Sequence, residues 1–175
     1  MLLVECALLL SVIALATRAQ LAPDWVAWAG LAGTFFFLSI DDLCRFHEMM
    51  SDPMDLLFEY PGPLQYSWVI PGMLFVIVFA VVFTPFVNRL PRRSRWSFIG
   101  AGALYVGGAL GMEMALGIEA KSHGSSTLLF DLLLSTKKLM QLLGSIAFLC
   151  ALLTHVRDYL PDLSVRPIAV SSERP

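Results

Sequence analysis

The side chains that could do chemistry in this sequence are ionisable groups at the ends of long apolar stretches. The second of these stretches runs from Trp25 to Ile40 and continues directly into charged residues that include Asp41, Arg45 and Glu48. An ionisable group inside a membrane is energetically costly, so by default it marks a functional site. If the helix continues, these three charged residues lie on one face at i, i+4 and i+7.

Two later stretches place further polar groups at the same end of the predicted bundle. Glu113 lies near the end of the fourth stretch, and Lys137, Lys138 and Gln141 lie near the start of the fifth. Because consecutive spans alternate in direction, these positions meet the end of the second stretch in one leaflet. The candidate polar cluster contains Asp41, Asp42, Arg45, His47, Glu48, Glu113, Lys138 and Gln141.

A metal site is one interpretation of this cluster. Carboxylates and imidazole that project inward from several helices bind metal in di-iron bundles. The candidate ligands for iron, manganese or zinc are Asp41, Asp42, His47, Glu48 and Glu113. No Glu-x-x-His pair occurs in the sequence, however, and Arg45 and two lysines would repel the cation.

An ion-pair network is the interpretation that the charges favour, and solvated helix ends are the third. The acids of the cluster are Asp41, Asp42, Glu48 and Glu113, and the nearby bases are Arg45, Lys137 and Lys138. Four negative charges against three positive ones are close to the balance that buried charges require, since an unpaired buried charge is strongly penalised. We therefore predict a structural network and no cofactor, with a divalent metal as the alternative.

Composition indicates lipid as the solvent for most of this chain. Of its 175 residues, 57% are hydrophobic and 15% are charged, and the mean hydropathy is +0.72. A soluble domain is typically about 45–50% apolar and about 25% charged. The net charge of -2 gives no general attraction for nucleic acid. No Cys-x-x-Cys motif supports a zinc ribbon or a covalent haem.

Five segments approach the length of about 20 apolar residues that a membrane-spanning helix needs. The sequence predicts an all-α bundle over 1–159, with spans near 2–17, 25–46, 68–87, 96–118 and 127–156, and a short tail over 160–175. We interpret the first segment as a retained helix, because it lacks the basic start of a signal peptide. Since the chain starts in apolar sequence, we also hypothesise that a preceding segment is missing.

Basic residues predict the orientation, because they accumulate in cytoplasmic loops of membrane proteins. The loop between the third and fourth segments carries Arg89, Arg92, Arg93 and Arg95 and no acid. Placing this loop inside puts the N-terminus outside and the C-terminus inside, in a bacterial inner membrane. We interpret His155 as an interfacial histidine at the inner boundary that needs no special explanation.

Small residues repeat every four positions in the fourth segment, at Ala103, Gly107 and Gly111. Such a stripe lets a neighbouring helix approach closely. The partner could be a second copy of the chain or another helix of the same bundle. We favour packing within one bundle, because Glu113 follows closely and requires burial against partners.

The motifs resemble those of a group of uncharacterised bacterial multi-pass membrane proteins. The segments that carry the resemblance are Phe37-Leu38-Ser39-Ile40-Asp41-Asp42 through His47-Glu48, Trp68-Val69-Ile70-Pro71-Gly72, and Leu90 through Glu113. The resemblance implies a localisation and a helical shape, but no activity. Where this group tends to carry acids in the last helix, the chain has Lys137, Lys138 and Gln141. This departure implies that ion pairs replace any metal.

The sequence therefore predicts an accessory or interaction subunit embedded in the lipid bilayer. Its partners would be further copies of the chain or a larger membrane complex, with no nucleic acid. The alternative is a membrane metalloprotein, such as an oxidoreductase, that uses the same polar cluster.

Overall fold

Long helices account for all the regular structure among the residues that the computed structural model describes, which are 2–44, 46 and 66–160. The helices are α1 (Leu2–Ala19), α2 (Trp25–Cys44), α3 (Val69–Arg89), α4 (Arg92–Val106), α5 (Met112–His123) and α6 (Leu128–Tyr159). A π-helical turn over Gly107–Gly111 joins α4 to α5, so that Arg92–His123 forms one span. The predicted all-α architecture is confirmed, with five helical spans long and apolar enough to cross a membrane.

The helices end where the sequence carries turn chemistry. Pro91 lies directly before α4, where its missing N–H costs no helical hydrogen bond. Gly124 ends α5 with a φ of 88°, a backbone conformation that side chains disfavour. Thr127 then caps α6, because its Oγ1 accepts a hydrogen bond of 3.1 Å from the backbone N–H of Phe130. These short turns make neighbouring spans antiparallel, and the fourth span extends beyond the predicted 96–118 at both ends.

The core lies where α1 packs against α2 and α6. Cys6, Leu10 and Ile13 of α1 are fully buried there. Aromatic rings connect the remaining spans: Trp28 of α2 contacts Phe86 of α3 at 4.9 Å between centroids. Helix α3 lies at the edge of the bundle, and only Val69 and Phe86 are buried along its length.

Glycine determines how closely the fourth span approaches α6, most tightly at Gly108 and Gly144. Of the predicted stripe, Gly107 also faces α6, because a Cβ there would lie 3.4 Å from Cε of Met140. A Cβ on Gly144 would lie 2.7 Å from the backbone nitrogen of Tyr105, and one on Gly108 would lie 2.9 Å from the Cβ of Met140. Ala103 and Gly111 are instead exposed, and a Cβ on Gly111 would meet nothing within 4 Å. Within this chain the closest contact between the two spans therefore lies at Gly108 and Gly144. Gly108 follows the stripe residue Gly107, and Gly144 lies on α6.

The π-helical turn changes which residues of the fourth span face the bundle. The backbone N–H of Met112 bonds to the carbonyl of Gly107, five residues earlier. In a regular helix Glu113 would point about 120° away from the buried Ala101, at about 100° per residue. The extra residue in the turn reduces that angle to about 20°. The turn therefore directs Glu113 towards α6.

Candidate functional site

The centre of the candidate site is an ion pair between Glu113 on the first turn of α5 and Lys137 on α6. The Nζ of Lys137 donates a hydrogen bond to Oε2 of Glu113. The side chain of Glu113 is 9% exposed and that of Lys137 is 16% exposed. A buried charge needs a partner, and here each charge neutralises the other. The pair therefore links the two longest spans at the end of the bundle where α2 ends and α3 begins.

Tyr66 lies just before α3, within electrostatic range of Glu113. Burial raises the pKa of the Tyr66 hydroxyl, and the negative charge of Glu113 raises it further. Both causes favour the neutral phenol, so Tyr66 stays protonated throughout the physiological range. The start of α3 itself packs against the π-helical turn, since a Cβ on Gly72 would lie 3.0 Å from a side-chain carbon of Leu110.

The acids of α2 lie in the same half of the bundle, but they act on Tyr105, which precedes Glu113 by about two turns of helix. Asp41 and Asp42 lie on the last turn of α2, within electrostatic range of Tyr105 on α4. Asp42 is exposed and Asp41 is half-buried.

Two other predicted cluster residues lie on α6, and they differ in burial. Lys138 is exposed, whereas its neighbour Lys137 is the base that contacts Glu113. Gln141 is half-buried, and its backbone carbonyl accepts a hydrogen bond of 2.9 Å from Ser145. The other predicted members of the cluster, Arg45, His47 and Glu48, lie outside the described residues.

No convergence of three His, Cys, Asp or Glu side chains occurs among residues 2–44, 46 and 66–160. Of the five candidate metal ligands, Asp41, Asp42 and Glu113 are described, and they are not brought together as such a group. His47 and Glu48 fall in the remaining part of the chain. A metal site at this end of the bundle accordingly stays a prediction.

A second polar group, which sequence reasoning missed, closes the turn between α5 and α6. Glu119 is buried, and its Oε1 accepts a hydrogen bond of 2.8 Å from the hydroxyl of Thr127. The Nδ1 of His123 lies 3.2 Å from Oε2 of the same carboxylate. The spacing of Glu119 and His123 at i and i+4 was a usable signal, because such residues are neighbours on a helix. Their role is to tie the start of α6 to the end of α5.

A third polar contact lies at the opposite end of the bundle. His155 of α6 is 5% exposed and is therefore buried, unlike the interfacial histidine predicted from its position. Its Nδ1 shares a hydrogen bond of 2.9 Å with the hydroxyl of Ser94 on α4. The rings of Trp28, Phe98 and Tyr159 surround the imidazole at centroid distances of 5.3, 6.0 and 5.2 Å. Burial among rings, with one hydroxyl partner, fits a histidine that packs the core.

Surface ion pairs lie at the same end of the bundle as His155. Asp24 pairs with Arg89 at 3.2 Å, which joins the α1–α2 turn to the end of α3. Asp158 pairs with Arg93 at 3.4 Å and with Arg157 at 2.9 Å. Arginine therefore dominates this end, whereas the Glu113–Lys137 pair lies at the other.

Comparison with known proteins identifies one family. A family model described as a domain of unknown function (DUF8692) matches residues 1–156, which include all the helical spans except the last turn of α6. No curated protein and no solved structure matches the chain.

Proposed function

The chain belongs to the DUF8692 family, and from this premise we propose that it is an accessory or interaction subunit of a bacterial inner membrane. It would cross the membrane five times, with its N-terminus outside and its C-terminus in the cytoplasm. The polar groups at the outer end would serve to hold the bundle together. The observation that carries the proposal is that apolar side chains of α3 are exposed along its length, while Lys137 already neutralises the charge of Glu113.

Helix α3 supplies the surface through which such a subunit would act. Large apolar side chains of α3 are exposed along its full length, among them Leu74, Ile77, Val81 and Val82. The helix contacts α2 mainly through rings, as where Phe75 meets Phe37 at 6.1 Å. A helix held on one side only leaves its other faces for lipid or for a helix of another protein. This geometry supports an interaction role.

The Glu113–Lys137 pair supports a structural role for the outer polar groups. A glutamate that served as a metal ligand or a proton carrier would need its charge available to the cation or proton. In this protein the charge of Glu113 is neutralised by a lysine on the next span. Removing one partner of such a pair leaves an uncompensated buried charge, so both residues matter for folding.

Site-specific photocrosslinking in native membranes tests the interaction role. A photoreactive phenylalanine analogue at Val81, which is 69% exposed, should give a discrete adduct with another protein. The matched control is the same analogue at Phe86, which is 3% exposed on the same helix and should crosslink only within the chain. Adducts with lipid alone at Val81, Leu74 and Ile77 would contradict an interaction role for α3.

Elemental analysis of detergent-purified protein separates the structural interpretation from the metalloprotein alternative. The structural interpretation predicts no stoichiometric metal and no change in metal content in Glu113→Ala. Stoichiometric iron, manganese or zinc that is lost in Glu113→Ala would support the metalloprotein instead. Asp131→Ala serves as the control, because Asp131 is an exposed acid on the first turn of α6.

A further inference from the structure

A groove runs between the start of α4 and the second half of α6, at the arginine-rich end of the bundle. Its volume is about 380 Å³. Small side chains create this space: Ser94 and Ser97 lie on the α4 side, and Ala147, Cys150 and Ala151 lie on the α6 side. Ser97, Ala147 and Cys150 are exposed, so the groove opens on the outer surface of the bundle. A molecule beside the bundle can therefore enter it sideways.

One end of the groove is polar and positively charged. Arg93 lies there, together with the hydroxyl groups of Ser94, Ser97 and Thr154. The Arg93 guanidinium contacts Asp158 at 3.4 Å, but Asp158 also pairs with Arg157 at 2.9 Å. One carboxylate thus faces two guanidinium groups, which leaves one positive charge in excess at the groove.

The surroundings of the groove strengthen this positive field. Among the described residues, this end of the bundle carries Arg18, Arg89, Arg92, Arg93, Arg95 and Arg157, against the acids Asp24 and Asp158. Two tryptophans mark the depth of the headgroup region: Trp96 is 60% exposed and Trp25 is 37% exposed. The guanidinium of Arg18 lies 5.2 Å from the centre of the Trp25 ring. The polar end of the groove therefore lies at headgroup level.

We propose that this groove binds an anionic phospholipid. Its phosphate would contact Arg93 and the nearby hydroxyls, because a guanidinium donates paired hydrogen bonds to phosphate oxygens. One acyl chain would lie along Ala147 and Ala151, deeper in the bundle. Basic pockets between spans are the usual form of sites for acidic headgroups. The inference rests on the membrane placement proposed above, but not on which side of the membrane the arginines face.

Charge complementarity favours a lipid over a second copy of the chain as the occupant. A helix of another copy would bring apolar or small side chains to the groove and would leave the extra guanidinium without a counterion. An anionic lipid supplies both a counterion at the polar end and a hydrocarbon chain for the apolar end. The two ends of the groove thus match the two ends of one molecule.

Native mass spectrometry of the full chain in detergent, with added phosphatidylglycerol or phosphatidylcholine, tests this site. Retention of phosphatidylglycerol should exceed that of phosphatidylcholine. Arg93→Gln should weaken phosphatidylglycerol binding about tenfold, the effect of losing one charged hydrogen-bonding group. The matched control is Arg89→Gln, which removes an exposed arginine at the same end of the bundle that pairs with Asp24 and does not line the groove. It should change binding by less than about threefold.

A second variant keeps the test independent of charge and of the Arg93–Asp158 contact. Ala147→Phe places a ring on an exposed position of the groove wall, and it should also reduce phosphatidylglycerol retention. Thermal unfolding in detergent confirms that both variants are folded. Inorganic phosphate at millimolar concentration should not displace the lipid, because it lacks the acyl chain.

Several results would overturn the lipid site. Equal losses in Arg93→Gln and Arg89→Gln would show a general effect of surface charge. Full displacement by inorganic phosphate would show a site for free phosphate. A change in oligomeric mass in Ala147→Phe, with lipid retention unaltered, would show that another copy of the chain fills the groove. Failure of the chain to fractionate with membranes would instead contradict the proposed function itself.

Discussion

At the scale of single residues, buried charge is the feature that distinguishes this protein from an inert bundle of apolar helices. Glu113 and Lys137 are separated by 24 positions in the chain, yet they form one contact between two spans. Desolvating two charges is costly, and only their mutual contact offsets that cost. The neighbouring Lys138 has the same chemistry but faces away from the bundle. A difference of one position along α6 therefore decides which lysine forms the ion pair with Glu113.

Substitution of either partner should destabilise the fold, because it leaves the other charge buried and unpaired. Glu113→Gln and Lys137→Met should each lower the free energy of unfolding by about 3 kcal/mol, and the double variant should be no worse than either single one. These changes are measured by unfolding each variant in mixed micelles that contain an increasing fraction of a denaturing detergent.

Lys138→Met provides the matched control for this cycle. An exposed lysine on the same helix should change the free energy of unfolding by no more than about 0.5 kcal/mol. Additive effects of Glu113→Gln and Lys137→Met, or an equal loss in Lys138→Met, would mean that the contact contributes nothing specific.

At the scale of elements, glycine and the π-helical turn control how the fourth span meets α6. Gly144 admits the backbone of Tyr105, and Gly108 admits the side chain of Met140. The turn over Gly107–Gly111, which contains Gly108, inserts one extra residue before Glu113 and brings its carboxylate back to the inner face. The close contact at Gly108 and the burial of Glu113 are thus both produced by this short, glycine-rich segment, whereas the contact at Tyr105 depends on Gly144 of α6.

The same substitution at two glycines should have opposite effects. Gly144→Ala should lower the free energy of unfolding by about 1–3 kcal/mol, because its Cβ would lie 2.7 Å from the backbone nitrogen of Tyr105. Gly102→Ala should leave stability unchanged or raise it by up to about 1 kcal/mol, because alanine favours the helix and that Cβ would meet nothing within 4 Å. The same mixed-micelle unfolding measures both, and equal effects at the two sites would refute the close approach.

At the scale of the whole molecule, the two ends of the bundle differ in chemistry. One end is rich in arginine, which pairs with Asp24 and Asp158, and the other contains the Glu113–Lys137 pair and Tyr66. Because the spans alternate in direction, residues far apart in the chain share one end. This asymmetry underlies both the proposed orientation and the proposed lipid site.

Labelling of cysteines from outside the cell tests the orientation. The native Cys44 is exposed at the end of α2 and should react with a membrane-impermeant maleimide in intact cells. A cysteine introduced by Leu21→Cys, in a chain that also carries Cys44→Ala, should react only after the cells are permeabilised. Leu21 is 90% exposed in the turn between α1 and α2, so access within the protein does not limit the reaction. The reverse pattern would place the arginines outside.

The sequence alone determined the helical class, the five apolar helices and the position of an ionisable Glu113 within one of them, because apolar length and the placement of charges are properties of local composition. The sequence did not determine which residues of different spans contact each other. Helix rotation decides three of these outcomes. It brings Lys137, and not Lys138, to Glu113, and it buries His155. It also puts the close contact at Gly108 and Gly144, and not at Ala103 and Gly111. A single extra residue in a π-helical turn rotates all that follows by about 100°. Only the tertiary structure decided these contacts, since hydrogen bonding within a turn and packing between helices set that rotation together.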